Sequence, residues 1–129
     1  FKYQTDATNS EAFTTFANWH FVHSIGGTDY ISRLPITVAA DTAYHFKIKI
    51  DSDRKATIFV NGIQYNVTGT SGSTGGTAVT SVQPGTAATK TAALTDDVDL
   101  IPYIGIEAGA AAAEAVNVHY QSISRHVFE

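Results

Sequence analysis

The sequence predicts an all-β fold, an antiparallel β-sandwich of two packed sheets. Three observations lead there. Residues 44–51 alternate apolar and polar side chains without a break. Two apolar runs flank Asn61-Gly62, the strongest short hairpin signal, because both residues tolerate positive φ. Charged residues make up 16% of the chain, below the typical ~25%, while Thr, Ala, Gly and Ser abound. That is the profile of a packed β-protein, often one surrounded by neighbours.

The elements follow in order. Phe1-Lys2-Tyr3-Gln4 reads as a strand cut at its start. Residues 13–25 are rich in aromatics (Phe13, Phe16, Trp19, Phe21). On a strand, Trp19, Phe21 and His23 share one face, and His20 and Val22 share the other. Gly26-Gly27-Thr28-Asp29 is a turn, and residues 30–34 begin the next strand. Pro35 is expected to end that strand or place it at an edge. Tyr44, Phe46, Ile48 and Ile50 then line the apolar face of a half-buried strand, with His45, Lys47, Lys49 and Asp51 opposite. Asp51 to Lys55 is a polar turn whose Asp and Ser side chains bond back to the backbone. Residues 56–60 and 63–67 complete a three-stranded meander around Asn61-Gly62.

Downstream, residues 98–106 read as a strand, with Pro102 marking an edge or bulge. Residues 116–121 alternate cleanly. Ile123 and Val127 fall on the opposite parity, so a bulge is expected near Gln121-Ser122. Residues 108–115 are Ala-rich and long enough for one or two helical turns, though so short a helix is marginal alone; a tight connection between the two strands is the favoured reading. Residues 69–95 are almost wholly Gly, Ser, Thr and Ala, with a single Lys90. This stretch is expected to add nothing to the core and is long for a loop, which points to a functional or disordered element.

At 129 residues the chain is the size of one domain, spanning 1–129 with an insertion or arm at 69–95. Cys and Met are both absent. Without Cys there are no disulfides, thiolate nucleophiles or iron–sulfur sites. Phe1 opens in mid-pattern, so the chain is expected to be part of a longer one. A net charge of −4 argues against a uniformly basic nucleic-acid-binding surface, and no apolar run approaches the ~20 residues of a membrane span.

The acidic and His residues are the remaining sources of catalytic or metal-binding chemistry. Asp97 and Asp99 share a strand face about 7 Å apart, the best carboxylate pair for glycosidase chemistry; the plainer reading is a solvated strand entry. Asp51 and Asp53, or Asp96, Asp97 and Asp99, offer oxygens to Ca²⁺ but lack the spacing of a calcium loop. His20 and His23 fall on opposite strand faces, and His119 and His126 differ in parity unless the expected bulge intervenes. No phosphate loop or nucleophile elbow occurs. The expectation is no catalytic residue, no metal and no cofactor. Trp19, Tyr30, Tyr65 and Tyr103 are the candidates for an aromatic platform stacking on a sugar ring, weighed against the usual role of strand aromatics as core.

Residues 44–62, in which a strand ends at Asp51, a short turn follows and the next strand ends in Val60-Asn61-Gly62, resemble the central hairpin of concanavalin A-like lectin/glucanase jelly rolls. Leu100-Ile101-Pro102-Tyr103-Ile104-Gly105-Ile106-Glu107, the Ala-rich connection, and Val116-Asn117-Val118-His119-Tyr120 with Ile123-Ser124-Arg125 are similar to what tailed-phage structural proteins carry in this fold. Gly26 to Asp29 also fits. The resemblance covers residues 13–67 and 98–128. Positions matching the family's glucanase carboxylates or lectin metal ligands are missing.

The resemblance implies a jelly roll and a non-enzymatic virion protein, a capsid decoration or head-fibre domain of a tailed bacteriophage on the virion surface. Its partners would be other virion subunits in a homo-oligomer or on the capsid, with 69–95 as an arm ordering against a neighbour. Neither nucleic acid nor membrane is an expected partner. The alternative is a lectin-like carbohydrate-binding module, in an adhesin or tail fibre, recognising surface glycans.

Overall fold

The structure is a computed structural model that describes residues 1–2, 17–72, 75–95 and 115–124. The chain divides into two compact units, Phe1–Asp97 and Val98–Glu129. Among the described residues it is all-β and mostly antiparallel, with six strands in two three-stranded sheets.

The first sheet begins with β1 (Asn18–Ile25) and β2 (Thr28–Thr37), joined by the Gly26-Gly27 turn. Pairing is antiparallel from Ile25↔Thr28 back to His20↔Arg33, and then slips. Leu34, Pro35 and Ile36 all stand opposite Trp19, before Asn18 meets Thr37. This bulge explains why β2 continues through Pro35 rather than ending there. A residue with no N–H loses no ladder bond where the ladder is already interrupted. The Asn18 amide donates to the Leu34 carbonyl at 3.0 Å and satisfies the group the bulge exposes. On the other edge of β1, Lys2 and His20 exchange backbone hydrogen bonds of 2.7 and 2.9 Å in an isolated bridge, while Tyr3 and Gln4 of the expected cut strand lie outside the described residues.

The second sheet is the predicted meander: β3 (Phe46–Ile50), β4 (Ala56–Val60) and β5 (Ile63–Tyr65). Asn61 and Gly62 take φ of 50° and 81°. That pair of positive angles is what a two-residue hairpin needs to match strand twist. The Asn61 side chain also accepts the His45 N–H at 2.8 Å.

Parity decides the core. Phe21 and Leu34 from the first sheet meet Ile58, Val60 and Tyr65 from the second and Val67 just after it, all buried in one cluster. Each such aliphatic side chain contributes about 1.5–3 kcal/mol on burial. Trp19, Ile36, Tyr44, Phe46 and Val79 pack around it, half-buried. Ile48 and Ile50 lie on the same face as Ile58 but are 49% and 45% exposed. The face was read correctly, but its burial holds only across β4.

Residues 69–95 depart most from expectation. Their described part runs along its own domain's sheets. β6 (Thr77–Ala78) pairs in parallel with β2 at Ser32 and Arg33. Gly76 makes the approach possible: at φ +66° an added Cβ would lie 3.1 Å from Ile31 and 3.2 Å from His20. Three residues after β6, Ser81 bridges Tyr65 of β5, so residues 77–82 cross from one sheet to the other. Asn66 N–H then donates to Thr80 O, Val82 N–H to Gln64 O, Val67 N–H to Thr89 O and Leu94 N–H to Arg54 O. Thr91 is buried against Ala56, accepting its N–H on Oγ1 at 2.8 Å and donating its own N–H back at 3.2 Å. The expected outward arm is, over this length, a strap on the domain itself. Backbone groups pair whatever the side chain, so a Gly/Ser/Thr/Ala composition carries the strap without bulky residues.

In the second unit, residues 115–124 show neither the predicted strand nor the bulge at Gln121-Ser122. Val116, Val118, Tyr120 and Ile123 are all exposed. Alternation states which side chains share a face, but a strand also needs a hydrogen-bonded neighbour. The predicted strand at 98–106 and most of the Ala-rich connection lie outside the described residues.

Candidate functional site

Of the aromatic candidates, Trp19 and Tyr30 lie on the core-facing side of the first sheet. Trp19 is held edge-on to Phe46 and Tyr44, with ring centroids 4.7 and 5.4 Å apart. Phe1 bridges Phe21 and Phe46 at 5.4 and 4.5 Å. Farther along β1, His23 stacks between Phe21 and Tyr30, at 5.6 and 4.9 Å. The result is a continuous row of rings along the inter-sheet core, with Tyr30 at one end.

For Tyr65 this placement corrects the predicted sugar platform. Tyr65 is 6% exposed and belongs to the core, because pairing with Ile58 turns it inward. Its shared parity with Ile63 and Val67 was the signal available in the sequence. Trp19 is half-buried among aromatics, as a core anchor would be. Tyr30 is half-buried, with one ring face taken by His23. Tyr103 lies outside the described residues, as do Asp97 and Asp99. Of the four, the structure brings Trp19 and Tyr30 to one sheet face and leaves Tyr30 the more peripheral.

His23 has a further feature. Its Nδ1 is buried without a hydrogen-bond partner, and burial holds its pKa below the ordinary value of 6.5. The ring is therefore neutral in the fold at neutral pH, which suits a stacked ring between two aromatics. His20, on the opposite face, is fully buried, and burial lowers its pKa as well.

A second place of interest is an open groove of about 580 Å³ beside the β3–β4 turn, lined by Asp53, Lys55 and residues 88 and 90–93. Asp51 organises it. Its Oδ1 accepts the N–H groups of Asp53 and Lys55 at 3.0 and 2.9 Å, the back-bonded turn that the sequence predicts. Its Oδ2 accepts a 2.7 Å charged bond from Lys90. The Lys90 bond first, and the Lys55 N–H second, hold the Asp51 carboxyl below its usual range. The same bond raises Lys90. The calcium role weighed for Asp51 meets an ammonium where a cation would sit. Among the described residues, no three His, Asp or Glu side chains converge. Sequence reasoning did not connect Lys90 to Asp51. Its signal was isolation, as the one charge in the 69–95 stretch.

No family of known proteins, no curated protein and no solved structure matches this chain.

Proposed function

We propose that the chain is a non-enzymatic structural domain of a virion, a capsid decoration or head-fibre domain of a tailed bacteriophage with a concanavalin A-like jelly-roll topology. The observation carrying this reading is the meander β3–β4–β5, with Asp51 closing one turn and Val60-Asn61-Gly62 the other. These are the positions on which the family resemblance rests. In this reading the domain sits on the virion surface and its partners are other virion subunits. Mass spectrometry of tailed-phage particles purified from a culture carrying this gene tests it. The chain is expected as a stoichiometric component that co-sediments with capsids, and its absence from intact particles overturns the proposal.

The second reading is a carbohydrate-binding module, favoured by Tyr30, whose ring is stacked on His23 yet half-open. A glycan array probed with the wild type and Tyr30→Ala separates the two. Binding lost in the variant supports a sugar site, and no binding to any glycan removes it.

A further inference from the structure

β3 is an outer strand: in the sheet order β3-β4-β5, β4 is its only paired neighbour among the described residues. The register shows which of its backbone groups look outward. Ala56, opposite Ile50, turns its N–H and C=O towards Thr91, away from β3. At the other end, Asn61 N–H donates to the His45 carbonyl. Bonded and non-bonded pairs alternate along an antiparallel ladder. Lys47 and Lys49 therefore bond towards β4, and Phe46, Ile48 and Ile50 direct their N–H and C=O groups to the edge that no described strand covers. The side chains sort in the same way. Ile48 and Ile50 are about half exposed on the core-facing side. Lys47 and Lys49 are exposed on the opposite side, with the Lys47 ammonium 5.6 Å over the Phe59 ring.

We infer that this edge is a docking strand for an extended peptide segment that alternates apolar and carboxylate side chains. Such a segment would complete the ladder at Phe46, Ile48 and Ile50. Its apolar side chains would cover the two isoleucines, and its carboxylates would meet Lys47 and Lys49. Charge complementarity selects this occupant over a second copy of β3. Any register that keeps both isoleucine rows on one side sets lysine against lysine, an arrangement that disfavours edge-to-edge pairing. The inference concerns β3 alone and does not depend on the virion reading.

The probe is a fluorescent peptide of alternating Asp and Val. It is compared with its Lys/Val counterpart and with a copy N-methylated on the amides that would face β3, by anisotropy against the full chain. The acidic peptide is expected to bind at least about tenfold tighter than the basic one, since each swap turns an attractive cross-strand pair repulsive. The K47E/K49E double variant, altered only at exposed positions and checked for an unchanged circular dichroism spectrum, is expected to reverse that preference. N-methylation is expected to abolish binding, because it removes the ladder donors. Equal affinity for the two peptides, indifference to K47E/K49E, undiminished binding of the methylated copy, or no saturable binding overturns the inference. So does dimerisation of the chain alone that K47E/K49E disrupts, which assigns the edge to a second copy.

Discussion

The strap makes a measurable claim about Thr91. Its hydroxyl accepts the N–H of Ala56 at 2.8 Å in a site only 3% exposed. Thr91→Val keeps the shape, replaces the hydroxyl by a methyl group and leaves that N–H buried without an acceptor. The cost of an orphaned buried donor is about 1–3 kcal/mol. Thr91→Ser keeps the acceptor and loses one methyl, about 0.8 kcal/mol if the group is fully buried. The polar loss thus exceeds the apolar one, and valine is expected to be the worse substitution, although hydrophobicity alone ranks it above serine. For a domain of this size 1 kcal/mol corresponds to roughly 4 °C. Thr91→Val is therefore expected to lower Tm by about 4–12 °C, and Thr91→Ser by about 3 °C or less. Thermal unfolding followed by circular dichroism reads both. A valine variant as stable as wild type, or more stable than the serine variant, refutes the argument that the strap is fastened through this bond.

Three further outcomes are expected. Ile58→Ala, at the fully buried centre of the core, should destabilise by about 2–5 kcal/mol in urea unfolding, and a loss below about 1 kcal/mol would mean that the sheets do not pack there. The Asp51–Lys90 bond stabilises the fold between about pH 4 and pH 10: Asp51's depressed pKa makes its share fade as pH falls through the folded value, and Lys90's raised pKa makes its share fade as pH rises through its own. Lys90→Met should flatten both limbs of the Tm–pH curve relative to wild type. His23, kept neutral by burial, makes the fold less stable as pH drops below about 6.5, where the unfolded chain takes up a proton that the fold refuses. An NMR titration of the His23 ring should show a midpoint below 6.5, and His23→Phe should remove that part of the acid sensitivity.

Local chemistry determined the meander. Alternation at 44–51, the back-bonded Asp51 turn and Asn61-Gly62 each act within a few residues, so strand order, register and hairpin geometry in β3–β4–β5 were legible in the sequence. The face-sharing of Trp19, Phe21 and His23 was legible for the same reason. Tertiary structure alone decided which of those faces is covered. Ile48 and Ile58 have the same parity and the same side chain, yet one is half exposed and the other buried, because burial depends on what the opposite sheet reaches. It also decided the candidate sites. Tyr65 turned into the core, and Lys90 found Asp51 across 39 residues of chain. The strap at 77–94 is the clearest case. Its side chains carry almost no hydrophobic signal, and its hold on the sheets comes from backbone donors and acceptors that every residue possesses. Sequence patterns report side chains, so the partners of a backbone become visible only once the chain is folded.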